Sequence, residues 1–172
     1  ETKADIVRNA IDVARAIGIE TPKVGVLSAV EVVNPAIPSS VDAALLSKMA
    51  ERGQITGGLV DGPLAMDNAV DLGAATVKGI KSPVAGRAEI LVAPNMEAGN
   101  MLAKELTYLA HARAAGIVVS GFRFKLLSYV SEIAKLARSA RFLSNFSHHF
   151  LRGVSNNFSV LRVKKRGGTR IL

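Results

Sequence analysis

The pattern of apolar and polar residues predicts an alternation of helices and strands over the first 119 residues. Segments with apolar residues three or four positions apart indicate helices, and shorter apolar segments bounded by Gly, Pro or polar residues indicate strands. The predicted helices cover residues 6–17, 41–49, 64–77 and 95–112, and the predicted strands cover residues 24–27, 54–61, 89–93 and 115–119. Non-alternating strands that are each followed by a helix are typical of an α/β fold with a largely parallel sheet.

The segment GQITGGLVDGPLAMD, residues 53–67, is the part of this pattern that most resembles a ligand site. A short apolar run, Leu59-Val60, ends at Asp61-Gly62-Pro63, and a predicted helix follows. In an open α/β sheet, ligands bind at such junctions, outside the carboxyl ends of the strands. Glycine-rich joints between strands and helices are also ordinary scaffold, so the pattern alone leaves both interpretations open.

Polar residues follow the ends of all three predicted strands that precede a helix. Because parallel strands bring their carboxyl ends to one edge, we expect these loops to converge, with helix N-termini available to hold an anion. The alternative is that the serines only cap a helix and the other residues make turns or face solvent. The loop residues are Glu31, Asn34, Ser39 and Ser40, then Asp61, Gly62, Pro63 and Asp67, then Asn95, Glu97, Gly99 and Asn100.

Composition narrows the class of protein. The chain has 172 residues, 49% of them apolar, and no cysteine, which indicates a globular domain and fits a reducing cytoplasm. It lacks a GxGxxG fingerprint after a strand and a P-loop, and His111 has no histidine partner at metal-ligand spacing. We therefore expect a cytoplasmic protein with no metal site and no bound cofactor.

Charge and aromatic content change abruptly near Val119. Residues 1–119 hold 11 Lys plus Arg and 13 Asp plus Glu, a net charge of −2, whereas residues 120–172 hold 11 Lys plus Arg and one acid, a net charge of +10. All six phenylalanines lie in the second part. Such a shift predicts a boundary, with an α/β domain over residues 1–119 and a basic, Phe-rich tail over residues 120–172.

The motifs NPAIPS, DGPLAMDNA and EAGNMLAK occur in this order in residues 1–119. In this respect the chain resembles the phosphate acetyltransferase and phosphate butyryltransferase family, and particularly the acyltransferase domain of bifunctional proteins that also contain an enoyl-CoA hydratase-like domain. The resemblance implies a three-layer domain of isocitrate-dehydrogenase-like architecture and an active site in a cleft between two such domains. It also implies a homodimer or larger assembly that moves an acetyl or butyryl group between coenzyme A, a co-substrate, and inorganic phosphate.

By the same resemblance, the substrate-binding residues lie on the three loops. They are Asn34, Ser39, Ser40, Asp61, Gly62, Pro63, Asp67, Glu97, Gly99 and Asn100. Asn95 stands where the family pattern has an aspartate, and the TSRxDS-like motif that the family has after a further strand is missing. The half of the family that precedes this region is missing too. We therefore expect a fragment of the family's active site, and the catalytic residues stay unassigned.

Two interpretations of the basic tail remain open. Apolar residues from Leu126 to Ala140 predict a basic amphipathic helix, and the cations from Arg162 to Arg166 are of the kind that contact phosphates. The tail would then be a weak anion-binding module for nucleic acid or a membrane surface, which is the alternative to an acyltransferase function. A frameshift or fusion near Val119 would produce the same change of composition without any evolved role.

Overall fold

The structure, a computed structural model, describes residues 2–112 with their side chains and residues 118–120, 123–125, 160–165 and 168–171 as backbone. Its helices are α1 (Thr2–Ala16), α2 (Pro38–Glu51), α3 (Met66–Val70), α4 (Leu72–Val77) and α5 (Met96–Lys104), which a π-helical segment (Glu105–Leu109) continues. Its strands are β1 (Lys23–Leu27), β2 (Leu59–Leu64), β3 (Ile90–Val92), β4 (Val118–Ser120), β5 (Arg123–Lys125), β6 (Val160–Lys165) and β7 (Gly168–Ile171). Within the described residues, no helix is both long and apolar enough to span a bilayer.

The central sheet has the strand order β2-β1-β3-β6-β7. Strand β1 pairs parallel with β2 and β3, which confirms the predicted parallel sheet, and β6 and β7 extend it in antiparallel orientation. Strand β4 overlaps the fourth predicted strand, but it pairs antiparallel with β5 in a separate sheet. Parallel pairing among the described strands is therefore confined to the first three.

Two apolar clusters lie on opposite faces of this sheet and define three layers. Successive side chains of a strand point to opposite faces, so Val24 and Val26 pack with α1 and α2, whereas Leu27 packs with α3 and α4. Strand β3 divides in the same way, because Leu91 faces the second cluster. Gly25 allows close packing on that face, where an added Cβ would lie 3.1 Å from the Cβ of Ala88.

Strand β2 is displaced from its predicted position. The sequence predicts a strand over residues 54–61 that ends at Asp61, but β2 begins at Leu59 and continues through Gly62 and Pro63 to Leu64. A proline is tolerated because β2 is an edge strand, so its missing N–H breaks no ladder. An added Cβ at Gly62 would lie 2.8 Å from the Val26 carbonyl oxygen, so the close approach of β2 to β1 at this point requires glycine.

The helix predicted over residues 64–77 is broken in two at Asp71, which has extended backbone angles. The Asp71 carboxylate accepts a hydrogen bond from the Ala74 N–H at 2.8 Å and caps α4. The amphipathic helix predicted between Leu126 and Ala140 lies outside the described residues. The boundary near Val119 remains a prediction.

Candidate functional site

The loops after β1, β2 and β3 begin at one edge of the sheet. Leu27 pairs with Leu64 at the end of β2, and Val26 pairs with Val92 at the end of β3. The Ser28 N–H donates a hydrogen bond of 2.9 Å to the Leu64 carbonyl, which joins the first two loops directly. The parallel register thus brings the starts of all three polar loops to neighbouring positions.

Hydroxyl groups organise the first loop, between β1 and α2. The Ser40 side chain is fully buried. Its hydroxyl oxygen accepts a hydrogen bond from the Asn34 N–H at 2.9 Å, and its O–H donates to the Ile37 carbonyl oxygen at 2.8 Å. The Ser39 and Ser28 hydroxyls lie 2.9 Å apart. Ser40 is therefore occupied in fixing the loop, while the half-buried Ser39 lies on the first turn of α2.

The serine cap of α2, the alternative interpretation of the sequence, is wrong. The N-cap residue is Ile37, whose side chain accepts no hydrogen bond from the first turn, and Pro38 begins the helix. Proline suits this position because its fixed φ matches the helix and its missing N–H is not needed there. The Ser40 N–H donates to the Ile37 carbonyl at 2.9 Å and Pro38 has no N–H, so the Ser39 N–H is the first-turn donor that makes no hydrogen bond among the described residues. A donor at a helix N-terminus favours an anion.

In the second loop, Asp61 has an internal role. Its Oδ1 accepts hydrogen bonds from the Gly62 N–H at 2.8 Å and from the Ser47 hydroxyl at 3.3 Å, which ties β2 to α2. Pro63 is buried within β2, whereas Asp67, in the first turn of α3, is exposed. Of these predicted site residues, Asp67 presents its side chain most openly at the edge.

Lys78, which the sequence analysis did not select, connects the first two loops. Its Nζ lies 3.2 Å from Glu31 Oε2 and 3.4 Å from Asp67 Oδ2. The hydrogen bond to Glu31, followed by that to Asp67, raises the pKa of Lys78. The Asn68 backbone N–H, followed by Lys78, lowers the pKa of Asp67. Both shifts favour the charged forms of Lys78 and Asp67. We call Lys78, Glu31 and Asp67 the Lys78 triad.

Asn68, next to Asp67, is fully buried, and neither its side-chain nitrogen nor its side-chain oxygen has a hydrogen-bond partner among the described residues. Its backbone carbonyl accepts a hydrogen bond of 2.7 Å from the Gly86 N–H. A buried amide without partners costs stability. Asn68 lies in α3 beside Asp67, so this cost occurs next to a residue that the sequence predicts to bind substrate.

The third loop is organised separately. The Asn95 side chain accepts a hydrogen bond from the Ala98 N–H at 2.8 Å and caps α5, a role that an aspartate would also fill. Glu97 and Asn100 are exposed on α5, and Gly99 is buried. No hydrogen bond or ion pair joins these residues to the first two loops within the described part of the chain.

Lys3, at the start of α1, also reaches this edge. Its Nζ lies 2.5 Å from Asp42 Oδ2 and 3.2 Å from the Pro94 carbonyl oxygen. It thereby ties α1 and α2 to the start of the third loop. Residues with metal-ligating side chains form no group of three or more in the part of the chain that the structure describes.

Comparisons with known proteins agree with this architecture. The family described as phosphate acetyl/butaryl transferase matches residues 1–137. Over 119 residues the chain is 65% identical to a phosphate acetyltransferase of Rhizobium meliloti, covering 69% of this chain and 38% of that protein. It is 55% identical over 117 residues to a phosphate butyryltransferase of Clostridium acetobutylicum, covering 68% of this chain and 39% of that protein.

Among solved structures, the chain is similar to a branched-chain phosphotransacylase from Enterococcus faecalis V583, with a TM-score of 0.65 and 37% identity. That match covers 73% of this chain and 45% of the other. The chain thus spans less than half the length of these relatives. The resemblance seen in the sequence motifs is confirmed, and the chain belongs to the phosphate acetyl/butaryl transferase family.

Proposed function

We propose that this protein is a phosphate acyltransferase, which exchanges an acetyl or butyryl group between coenzyme A and inorganic phosphate. The observation that carries the proposal is the convergence of the polar loops after β1, β2 and β3 at one edge of a parallel sheet, in a chain of this family. The names of the relatives support the same reaction class. The substrates are then acyl-CoA and phosphate, or acyl phosphate and free coenzyme A.

In the reaction, a thiolate attacks the carbonyl carbon of an acyl phosphate, the acyl–oxygen bond breaks, and phosphate leaves. The reverse reaction transfers the acyl group to phosphate and releases the thiolate. The first turn of α2 offers the Ser39 N–H and the Ser39 hydroxyl as donors to the phosphate or the developing oxyanion. We assign Ser39 and Asn34 to substrate placement, and Ser40 to holding this loop.

Asp67 is better suited to orienting neighbours than to accepting a proton. The Asn68 N–H, followed by Lys78, holds the pKa of Asp67 below the usual range of an aspartate, whereas a thiol has a pKa of about 8.5, so this carboxylate is a weak base toward coenzyme A. Asp61 is engaged by its own hydrogen bonds. Glu97, Gly99 and Asn100 complete the proposed substrate edge from the third loop.

The oligomeric state and location are also proposals. A homodimer or larger assembly is implied by the family resemblance, and such an assembly would allow a cleft to form against the loop edge. We propose a cytoplasmic location, with which the absence of cysteine is consistent.

The test is coenzyme A release from acetyl-CoA and butyryl-CoA by the unchanged chain, with and without phosphate. Phosphate-dependent release is expected, and Ser39→Ala should lower kcat/KM by roughly tenfold, because a donor near the reacting group is lost. Thr21→Ala is the control hydroxyl deletion, because Thr21 is exposed before β1, at the opposite end of the sheet, and it should stay within about twofold. Absence of phosphate-dependent release from the unchanged chain would contradict the proposed function.

A further inference from the structure

We propose that Lys78 is a positioning residue for acyl transfer, which acts by holding the first loop against α3. This inference rests on the proposed function. Lys78 lies directly after α4, and its Nζ is 3.2 Å from Glu31 in the first loop and 3.4 Å from Asp67 in α3. One ammonium group therefore joins two loops that are far apart in sequence.

The position of Glu31 in its loop explains why this contact matters. The loop is fixed at one end by the hydroxyl pair of Ser28 and Ser39, and at the other by the Asn34 N–H bonded to Ser40. Glu31 lies between these two anchors. Among the described residues, the hydrogen bond between Glu31 and Lys78 is the one that residues 29–33 make. Removing the ammonium would leave that span held only at its ends.

The exposed tip of the loop is the part that Lys78 controls. Val32 and Val33 follow Glu31 directly, and their side chains are 63% and 58% exposed. They precede Asn34, a proposed substrate residue, so a shift of the tip changes the approach to the substrate edge. Misplacement of a binding loop by about 1 Å can reduce a rate by roughly 100-fold.

Charge balance argues for positioning rather than for direct binding of an anionic substrate. Lys78 faces two carboxylates, Glu31 and Asp67, so the triad carries a net charge of −1. An approaching phosphate would meet more negative than positive charge there, which disfavours its binding. The Ser39 N–H and hydroxyl at the start of α2 are the better anion site.

The triad also contributes little to global stability. The side chains of Lys78, Glu31 and Asp67 are 33%, 31% and 54% exposed, and ion pairs that water reaches are weak. Replacing Lys78 should therefore leave the fold intact and change the first loop alone. This separates a positioning role from a merely structural one.

The test compares Lys78→Met, which keeps an unbranched apolar stem, with Lys78→Arg, which keeps the charge. Lys81→Met is the matched control, since Lys81 is exposed and makes no ion pair within the described residues. Hydrogen exchange of peptides spanning residues 29–37 reports the loop, because the amides of Asn34, Ala36 and Ile37 donate hydrogen bonds there. Steady-state acyl transfer reports kcat and KM separately, and thermal unfolding reports the fold.

We expect Lys78→Met to speed loop exchange by about two- to fivefold with little change in melting temperature. Its kcat should fall by about three- to tenfold with KM within about twofold, and Lys78→Arg should restore both readouts. Unchanged loop exchange in Lys78→Met, or a rise in KM alone, would overturn the positioning role. A lack of turnover in the unchanged chain would instead contradict the proposed function, while the exchange result would still decide whether Lys78 holds the loop.

Discussion

Gly86 lies in the tight turn that supports α3 and α4, and it tolerates no side chain. Its φ is +73°, and an added Cβ would lie 2.5 Å from the Leu72 Cα and 2.8 Å from the Leu72 nitrogen. The Gly86 N–H also bonds the Asn68 carbonyl at 2.7 Å. Because the clashing atoms are backbone, they cannot move aside as a flexible side chain would. Gly86→Ala should therefore strain the turn at Gly86, which supports α3 and through it the second loop.

Gly79 provides a matched control for the size of this effect. Its φ is +68°, nearly that of Gly86, but no atom lies within 4 Å of an added Cβ. Gly79→Ala should cost about 1–2 kcal/mol, the usual cost of a left-handed conformation in a residue with a Cβ. Gly86→Ala should cost that amount plus about 1–3 kcal/mol for overpacking, or roughly 2–5 kcal/mol in all.

The assay is urea unfolding of both variants, followed by circular dichroism, at one protein concentration. In a chain of this size each 1 kcal/mol corresponds to about 2–4 °C in melting temperature, so thermal scans give an independent check. The two substitutions share the same backbone cost, and their difference isolates the steric term. Equal losses of stability in Gly79→Ala and Gly86→Ala would show that the added methyl group at position 86 does not clash with the Leu72 backbone.

Three further predictions concern the loop anchors, the charged edge and the tail. Ser40→Ala should lower the free energy of unfolding by about 1–3 kcal/mol, since it removes a buried hydroxyl with satisfied hydrogen bonds, and Ser39→Ala should cost less; equal losses in urea titrations would count against this. The lowered pKa of Asp67 means that its contribution to stability is present above pH 3.8 and is lost as the pH falls through its lower folded value. Urea titrations from pH 6 to pH 2.5 should thus show the stability difference between the unchanged chain and Asp67→Asn shrinking only in the acid range, and a constant difference would contradict it. If the tail binds anions, neutralising the two lysines of β6 should weaken salt-sensitive retention on DNA or anionic vesicles, and salt-independent retention would exclude that role.

The alternation of elements was predictable because burial on both faces of a parallel sheet leaves a clear apolar pattern. Val24 to Leu27 shows it, and β1 is found there. The extent of β2 was not predictable, because a proline usually ends a strand. Pro63 is acceptable within β2 only because β2 lies at the edge of the sheet. The break at Asp71 was missed for a similar reason, since its capping role depends on a local turn rather than on apolar spacing.

The candidate site was predictable as three loops at one edge, because parallel topology dictates where strand ends meet. The individual roles were not. Ser40 is a buried anchor and Asp61 is engaged internally. Lys78 becomes relevant through its contacts with Asp67 and with Glu31, the latter across 47 positions of the chain. A contact of that kind has no signature in local periodicity, so the sequence alone could not identify it.

The loop edge of the sheet is the proposed substrate surface. Backbone amide chemical shifts, recorded while phosphate and then coenzyme A are added to the full chain, test it most directly. We expect shifts concentrated in residues 28–40, 61–67 and 95–100, and none at Gly57 and Gly58, which precede β2 at the opposite end of the sheet. Shifts confined to that opposite end, or none at saturating ligand, would contradict it.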